Sequence, residues 1–316
     1  MIKVGISGCD GLSVAELVRI LINHPDVELL RVCDASHAGI RLDKIVPGII
    51  GECDLTVCPE GKLDDIDLLY LCGSRAGVRI RPDEWREGLK VIDLSGSHNL
   101  EHGDGKPWVY GMSEMQRRVL VHEAQWVTVP GPAAAASLLA LLPMVRNQLL
   151  QGPLALHIQA GTAVFPADGK TSDGLTAEAF AHDQQQELCL ALRQFQPDFD
   201  QPVTLSVSPV GERRTFIVES RFKCNVDLAM MASLYEQFYD DHNFVFVVDR
   251  PLSTADVENT NKFLIHLEKD EASGETVVQG MMDVLLKGAA GNAVHAMNLM
   301  YGLHERVGLA LKGSGR

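Results

Sequence analysis

Positive charge is scarce. Lysine and arginine together number 28 against 42 aspartates and glutamates, a formal net charge of −14. Such an acidic chain is repelled by phosphate backbones and by anionic membrane, so nucleic acid and membrane are excluded as partners. No apolar run approaches membrane-spanning length, and Met1-Ile2-Lys3-Val4 runs directly into a strand pattern with no secretory leader. The seven cysteines (Cys9, Cys33, Cys53, Cys58, Cys72, Cys189, Cys224) are odd in number and scattered. They form no CxxC and no Cys/His metal spacing, which predicts reduced thiols in a cytoplasmic protein and no metal. Internal repeats, low-complexity tracts and blocks of like charge are also missing. What remains is an ordinary globular composition, 46% hydrophobic and 22% charged over 316 residues, enough for two domains with their own cores.

The first half alternates buried-strand and helix patterns. Ile2-Lys3-Val4-Gly5-Ile6-Ser7 reads as a strand, Gly8-Cys9-Asp10-Gly11 as a turn, and Leu17, Val18, Ile20 and Leu21 as the apolar face of a helix. A second strand follows at Val27 to Cys33. This is the opening of a dinucleotide-binding α/β fold. Gly8 and Gly11 keep the first two glycines of the fingerprint, while Val14 holds the third. Asp10 has two readings: a cap for the helix, and a carboxylate that would repel a pyrophosphate at the same helix end. Asp34, at the end of the second strand, suits a ribose 2′-hydroxyl and so NAD, or simply ends the strand in a turn. Val127 to Ala136 reads as a short buried strand, a Pro130-Gly131 turn, and a helix running to Pro143. A strand delivering the chain onto a helix N-terminus presents unpaired N–H groups to whatever sits there. Gln151-Gly152-Pro153 is a domain link. The alternating pattern from Leu154 onward begins a second, α+β domain with a mainly antiparallel sheet, in which Thr176 starts a helix to about Phe195 and Asp227 caps another through Tyr239. Pro82 opens a further helix through Trp85.

These stretches resemble the N-acetyl-gamma-glutamyl-phosphate reductases over nearly the whole chain. The family's Gly-Ala-Ser-Gly-Tyr-Thr-Gly-Ala-Glu-Leu aligns without a gap to Gly8 through Leu17, and its Ser-Arg-Ser-His-Ala-Gly to Asp34 through Gly39. Its Asp-Asn-Leu-Val-Lys-Gly-Ala-Ala-Gly-Gln-Ala-Val aligns to Asp283 through Val294. The resemblance implies a Rossmann-type domain of residues 1–150, completed by a C-terminal helix in 288–316, and a dimerisation and substrate domain of 151–287. It places Gly8, Asp10, Gly11, Asp34, Ser36, Lys287, Gly288 and Gly291 at the cofactor. It also implies homo-oligomers, and a chemistry in which a cysteine thiolate attacks an acyl phosphate before NADPH delivers hydride to the thioester.

The departures from that pattern fall on the chemistry. Where the family reads Asn-Pro-Gly-Cys-Tyr-Pro-Thr-Ala, this chain has Pro132 in place of the cysteine. Ala35 replaces the arginine that suits a 2′-phosphate, Asn99 replaces a substrate-side arginine, and no arginine occurs between Gln159 and His182. Ending both sequences on Glu187-Leu188 puts the family's base histidine at Phe180, with His182 two residues further on. The pattern predicts a reductase-derived protein without acyl-phosphate reductase activity, serving as a small-molecule binder or partner subunit and binding NAD(P) weakly or not at all. Two alternatives stay open: altered chemistry in the same cleft, drawing on Ser74, Arg75, His98, Asn99, His182 and Lys287, or a genuine NAD(P)-dependent reductase of arginine biosynthesis with an unrecognised nucleophile.

Overall fold

The computed structural model describes residues 1–59, 63–73, 86–98, 108–150, 152–270 and 272–313. The helix expected from Pro82 through Trp85 lies outside them. The chain divides into two compact units, Met1–Pro130 with Ala289–Ala310, and Gly131–Gly288 with the residues from Leu311 on. The division falls at Pro130/Gly131, well ahead of the expected boundary near 150. The reason is packing: the helix that begins at Pro132 lies against the helices and strands that follow it.

The first unit holds a six-stranded sheet of β1 (Ile2–Ser7), β2 (Val27–Cys33), β3 (Leu68–Leu71), β4 (Lys90–Asp93), β5 (Val109–Tyr110) and β6 (Trp126–Thr128). The order is β2-β1-β3-β4-β6-β5 and every pairing is parallel. Parallel strands are buried on both faces, and Val4, Ile6, Leu68, Tyr70, Leu71, Val91 and Ile92 are accordingly inaccessible. The helices are α1 (Leu12–Ile22) and α2 (Ser113–His122). Sheet growth reverses at β1, which has β2 on one side and β3 on the other. That is the switch point at which such sheets bind ligands, beyond the carboxyl ends of the strands.

The second unit contains α3 (Pro132–Arg146), β7 (Leu154–Ala160), α4 (Ala177–Phe195), β8 (Val203–Pro209), β9 (Thr215–Lys223), α5 (Leu228–Tyr239), β10 (Val245–Val247), α6 (Thr254–Val257), β11 (Phe263–Asp270) and β12 (Glu275–Asp283). Its sheet runs β10-β11-β12-β9-β7-β8. The three inner pairings are antiparallel and the two edge pairings parallel. Thr176 and Asp227 cap α4 and α5 with their side chains, accepting from the N–H groups of Ala179 and Met230. Helix α3 is buried on all sides from Ala133 to Val145. Pro143 in its last turn has no N–H for the Leu139 carbonyl, and the Tyr239 hydroxyl donates to that carbonyl instead.

The chain then passes through a π-helical turn, Leu286–Ala290, into α7 (Gly291–Met300), so the expected helix from Gly288 starts as a wider coil. Helix α7 packs on α1 and α2 within the first unit. One buried contact there reports its own protonation state. The Asp26 N–H donates to His24 Nδ1 at 3.2 Å, so the proton is on Nε2, which donates to Asn298 Oδ1 at 3.1 Å. Burial depresses the His24 pKa, since a charged imidazole there would lose its hydration and one acceptor role. The unfolded chain takes up a proton near pH 6.5 that the folded chain refuses until lower pH. Stability is therefore intact above about pH 6.5 and falls as the pH drops through that value. Urea unfolding at a series of pH values should show this slope, and His24→Gln should flatten it. An equal slope in the variant would assign the effect to other groups.

Candidate functional site

At the switch point of the first unit the backbone turns where β1 ends. Gly8 has φ +90, and a Cβ there would lie 2.4 Å from the Cys72 carbonyl oxygen, so only glycine fits. Gly11, with φ +98, is the N-cap of α1, and no side chain caps the helix. The capping role expected of Asp10 is thus not taken. Its carboxylate lies largely in solvent, 3.4 Å from His37 Nε2. Val14 is buried in α1, where the fingerprint's third glycine would allow closer packing. Asp34 is held from two sides. Its Oδ2 accepts from the Cys9 N–H at 3.1 Å, and its Oδ1 accepts from the Ser36 N–H and hydroxyl at 2.8 and 2.7 Å. Burial pushes the Asp34 carboxyl up, but these donors and His37 outweigh it and hold it well below the usual carboxylate range. Ala35 is exposed and offers no charge.

Neither thiol near this turn is an activated nucleophile. Burial and the Asp34 carboxylate push Cys9 up to about 12. Burial, then Asp93, pushes Cys72 well above the ordinary thiol range. Both are protonated at neutral pH, and the thiolate is the reactive form.

In the second unit the turn into α3 is closed by α4. The Gly131 N–H donates to Glu187 Oε1 at 3.0 Å. Pro132 has no N–H. The N–H groups of Ala133 and Ala134 both donate to Gln184 Oε1, at 3.0 and 3.3 Å, and the Ala135 N–H already closes the first turn on the Gly131 carbonyl. Gln184 presses so closely that a Cβ on residue 131 would lie 2.3 Å from its amide. Gln184 and Glu187 are 4% and 2% exposed, so every donor of this helix end is matched in the interior.

The remaining expected site residues are spread out. Ser74, Arg75 and Asn99 lie outside the described residues. His98 is oriented through Nδ1 by the buried Asp93 carboxylate at 3.0 Å and stacks on Trp108 at 4.2 Å between ring centroids. His182 is exposed on α4, two residues from the buried Gln184 that caps α3. Phe180 packs edge-on against Phe165 in the core. Lys287 is buried, with its ammonium 5.9 Å from the centre of the Phe244 ring. Gly288 leaves room for Met282, Val284 and Pro132, all within 3.6 Å of where a Cβ would be. Gly291 is buried at the start of α7. Asp283, which opens this motif, accepts from Arg214 Nε at 2.5 Å and from the N–H groups of Asn259 and Leu285. Its role is to hold the backbone. One grouping was invisible to linear spacing. Cys9, Asp34 and His37 each bring a ligand atom within 4.8 Å of the others.

Comparison with known proteins agrees with this architecture. Residues 3–122 match the family described as semialdehyde dehydrogenase, NAD binding domain, and residues 133–283 match its dimerisation domain. The chain is 35% identical to the N-acetyl-gamma-glutamyl-phosphate reductase of Parabacteroides distasonis and 36% identical to that of Phocaeicola vulgatus, over 99% of each chain in both cases. It belongs to the N-acetyl-gamma-glutamyl-phosphate reductase family. Among solved structures, aspartate semialdehyde dehydrogenase II from Vibrio cholerae has the same fold, with a TM-score of 0.72 at 12% identity, covering 96% of this chain and 99% of that one. The Candida albicans aspartate semialdehyde dehydrogenase with NADP gives 0.70 at 12% identity, covering 95% and 98%. No helix among the described residues is long and apolar enough to cross a membrane.

The donors of the α3 turn are committed to α4 side chains. Gln184 lies within α4, so no purely local sequence rule marks it as a cap for another helix. Its signal was four-residue helical spacing: Phe180, Gln184, Glu187 and Leu188 share the buried face of α4. Gln184→Ala should strand two buried N–H groups at a cost of about 1–3 kcal/mol. Urea unfolding and faster amide exchange at Ala133 and Ala134 would record it, while Gln184→Glu should retain the cap. Unchanged stability and exchange in the alanine variant would mean that the cap is dispensable.

Proposed function

We propose that this chain is a reductase-derived protein without acyl-phosphate reductase activity, acting as a small-molecule binder or partner subunit. The observation that carries the reading is the α3 turn. Acyl-phosphate reduction through a thioester needs a sulfur nucleophile and, as phosphate leaves, donors for the oxyanion that develops on the carbonyl. Pro132 supplies neither sulfur nor N–H, and the neighbouring N–H groups serve Glu187 and Gln184. Cys9 and Cys72 are held as thiols.

The NAD-binding domain of the family is kept, but its phosphate end is altered. Asp10 places a carboxylate beside the α1 N-terminus, and Ala35 offers nothing to a 2′-phosphate. One lost charge-assisted contact costs about 1.5–3 kcal/mol, roughly ten- to a hundredfold in affinity. Dinucleotide binding is therefore weak, with NAD preferred over NADP. The dimerisation-domain match supports a homo-oligomer, and the names of the relatives support a place in or beside arginine biosynthesis in the cytoplasm.

A coupled assay with N-acetyl-gamma-glutamyl phosphate and both nicotinamide cofactors should give no turnover above background in either direction. Pro132→Cys alone should stay inactive, because nucleophile, donors and base act as a unit. Turnover that survives repurification would show that another residue has become the nucleophile. An active Pro132→Cys protein would show instead that the remaining site is intact. Calorimetry should find no micromolar NADPH binding, and finding it would overturn the cofactor part of this reading.

A further inference from the structure

The turn after β1 and the turn after β2 bring four metal-ligating side chains to one place. Cys9 Sγ, one oxygen of Asp34 and one ring nitrogen of His37 lie within 4.8 Å of one another. Asp10 approaches the same imidazole from outside, 3.4 Å from Nε2. The inner nitrogen, His37 Nδ1, is shielded from solvent and stands at ion-pair distance, 3.4 Å, from Asp34 Oδ1. The 3.4 Å separation is itself informative: two N/O ligands about 2.1 Å from a tetrahedral ion stand about 3.4 Å apart.

We propose that Cys9, Asp34 and His37 form a divalent metal site of the zinc class, with His37 ligating through Nδ1. Asp10 then accepts from Nε2–H and fixes the ring, as second-shell carboxylates do at zinc-bound histidines. Ser36 and the Cys9 N–H fix the plane of the Asp34 carboxylate in the same way. The donor set selects the ion. Cys9 is a thiol until the ion arrives; forming the metal–sulfur bond releases its proton to solvent, and the resulting thiolate with an imidazole suits zinc and disfavours magnesium and calcium, which take oxygen. Three protein ligands leave a fourth position, on the exposed side where Asp10 lies, for water or an exogenous ligand. Three of the four groups are places where this chain differs from the family stretches it resembles: Cys9 for alanine, Asp10 for serine and Asp34 for serine, around a retained histidine. The inference goes beyond the proposed loss of reductase activity and does not depend on it.

The test is titration of the chelator-treated full-length protein with cobalt(II), then displacement by zinc(II). One equivalent of cobalt should produce thiolate-to-cobalt charge-transfer absorption and the intense visible bands of a four-coordinate ion, both bleached by one equivalent of zinc. Cys9→Ala should abolish the charge-transfer band. His37→Ala and Asp34→Ser should weaken binding at least a hundredfold, and the exposed Asp10→Ser, which leaves the fold alone, about tenfold. The pair Cys33 and Cys58, whose sulfurs lie 2.8 Å apart, gives the control: Cys33→Ala with Cys58→Ala should bind cobalt as before. Absence of charge-transfer absorption in the natural protein, its survival in Cys9→Ala, or its loss only in the Cys33/Cys58 variant would each overturn the proposal. Should Cys9→Ala fail to fold, undiminished affinity in both Asp10→Ser and His37→Ala would do so.

Discussion

A helix end buried in the interior cannot leave its N–H groups bare, and α3 is such a helix. It is enclosed from Ala133 to Val145, so its first turn must find acceptors inside the protein. Glu187 and Gln184 provide them from α4. A catalytic turn needs the same donors for a different purpose, namely to meet an oxygen that gains charge in the transition state. Stability and catalysis thus compete for one small set of N–H groups. Proline at residue 132 shifts that competition, since it removes one donor, fits the first turn of a helix, and leaves only three N–H groups to satisfy.

The same demand for matched polar groups explains what surrounds α3. Pro143 frees the Leu139 carbonyl, and Tyr239 donates to it; Tyr235 donates to the Ala140 carbonyl one residue on, at 2.6 Å. Two tyrosines on one face of α5 thereby tie that helix to the weakened end of α3. At the end of β12, Asp283 gathers Arg214 and backbone N–H groups into a buried cluster. Burial pushes this carboxyl up while Arg214 pulls the other way. Removing one member of such a cluster leaves a buried charge alone, which costs more than the pair ever contributed. Retention of the Asp283 motif is therefore explained by folding alone.

Much of this was legible in the chain. The parallel sheet followed from apolar runs separated by glycine turns, and the caps Thr176 and Asp227 from residue type and position. The absence of a nucleophilic atom at Pro132 needs no fold to be seen, since proline has none. The 130/131 division was not legible, because α3 is apolar on every face and its sequence does not say which sheet it serves. Asp10 looked like a cap because aspartate caps well, but Gly11 adopts a backbone that puts the Asp10 side chain outside the helix end. Gln184 was missed since a glutamine inside an amphipathic helix has no local signature; its acceptors and donors are fixed by a helix fifty residues earlier. Cys9, Asp34 and His37 were missed for the same reason. Two turns carry them, and only strand pairing between β1 and β2 brings those turns together.

That pairing also decides what the first unit's switch point attracts. A helix N-terminus with free N–H groups favours an anion, and glycines at residues 8 and 11 preserve the room for one. Two carboxylates set on either side of a single imidazole pull the opposite way. Asp34 is held ionised by Ser36, the Cys9 N–H and His37, and Asp10 stands within 3.4 Å of the other ring nitrogen. Charges of one sign at such separations interact by roughly 1–4 kcal/mol depending on how far water screens them, enough to reverse the preference of a helix end whose own contribution is about 0.3–1 kcal/mol. The glycines alone say that a phosphate would fit. The carboxylates set the electrostatic cost that such a phosphate would meet there.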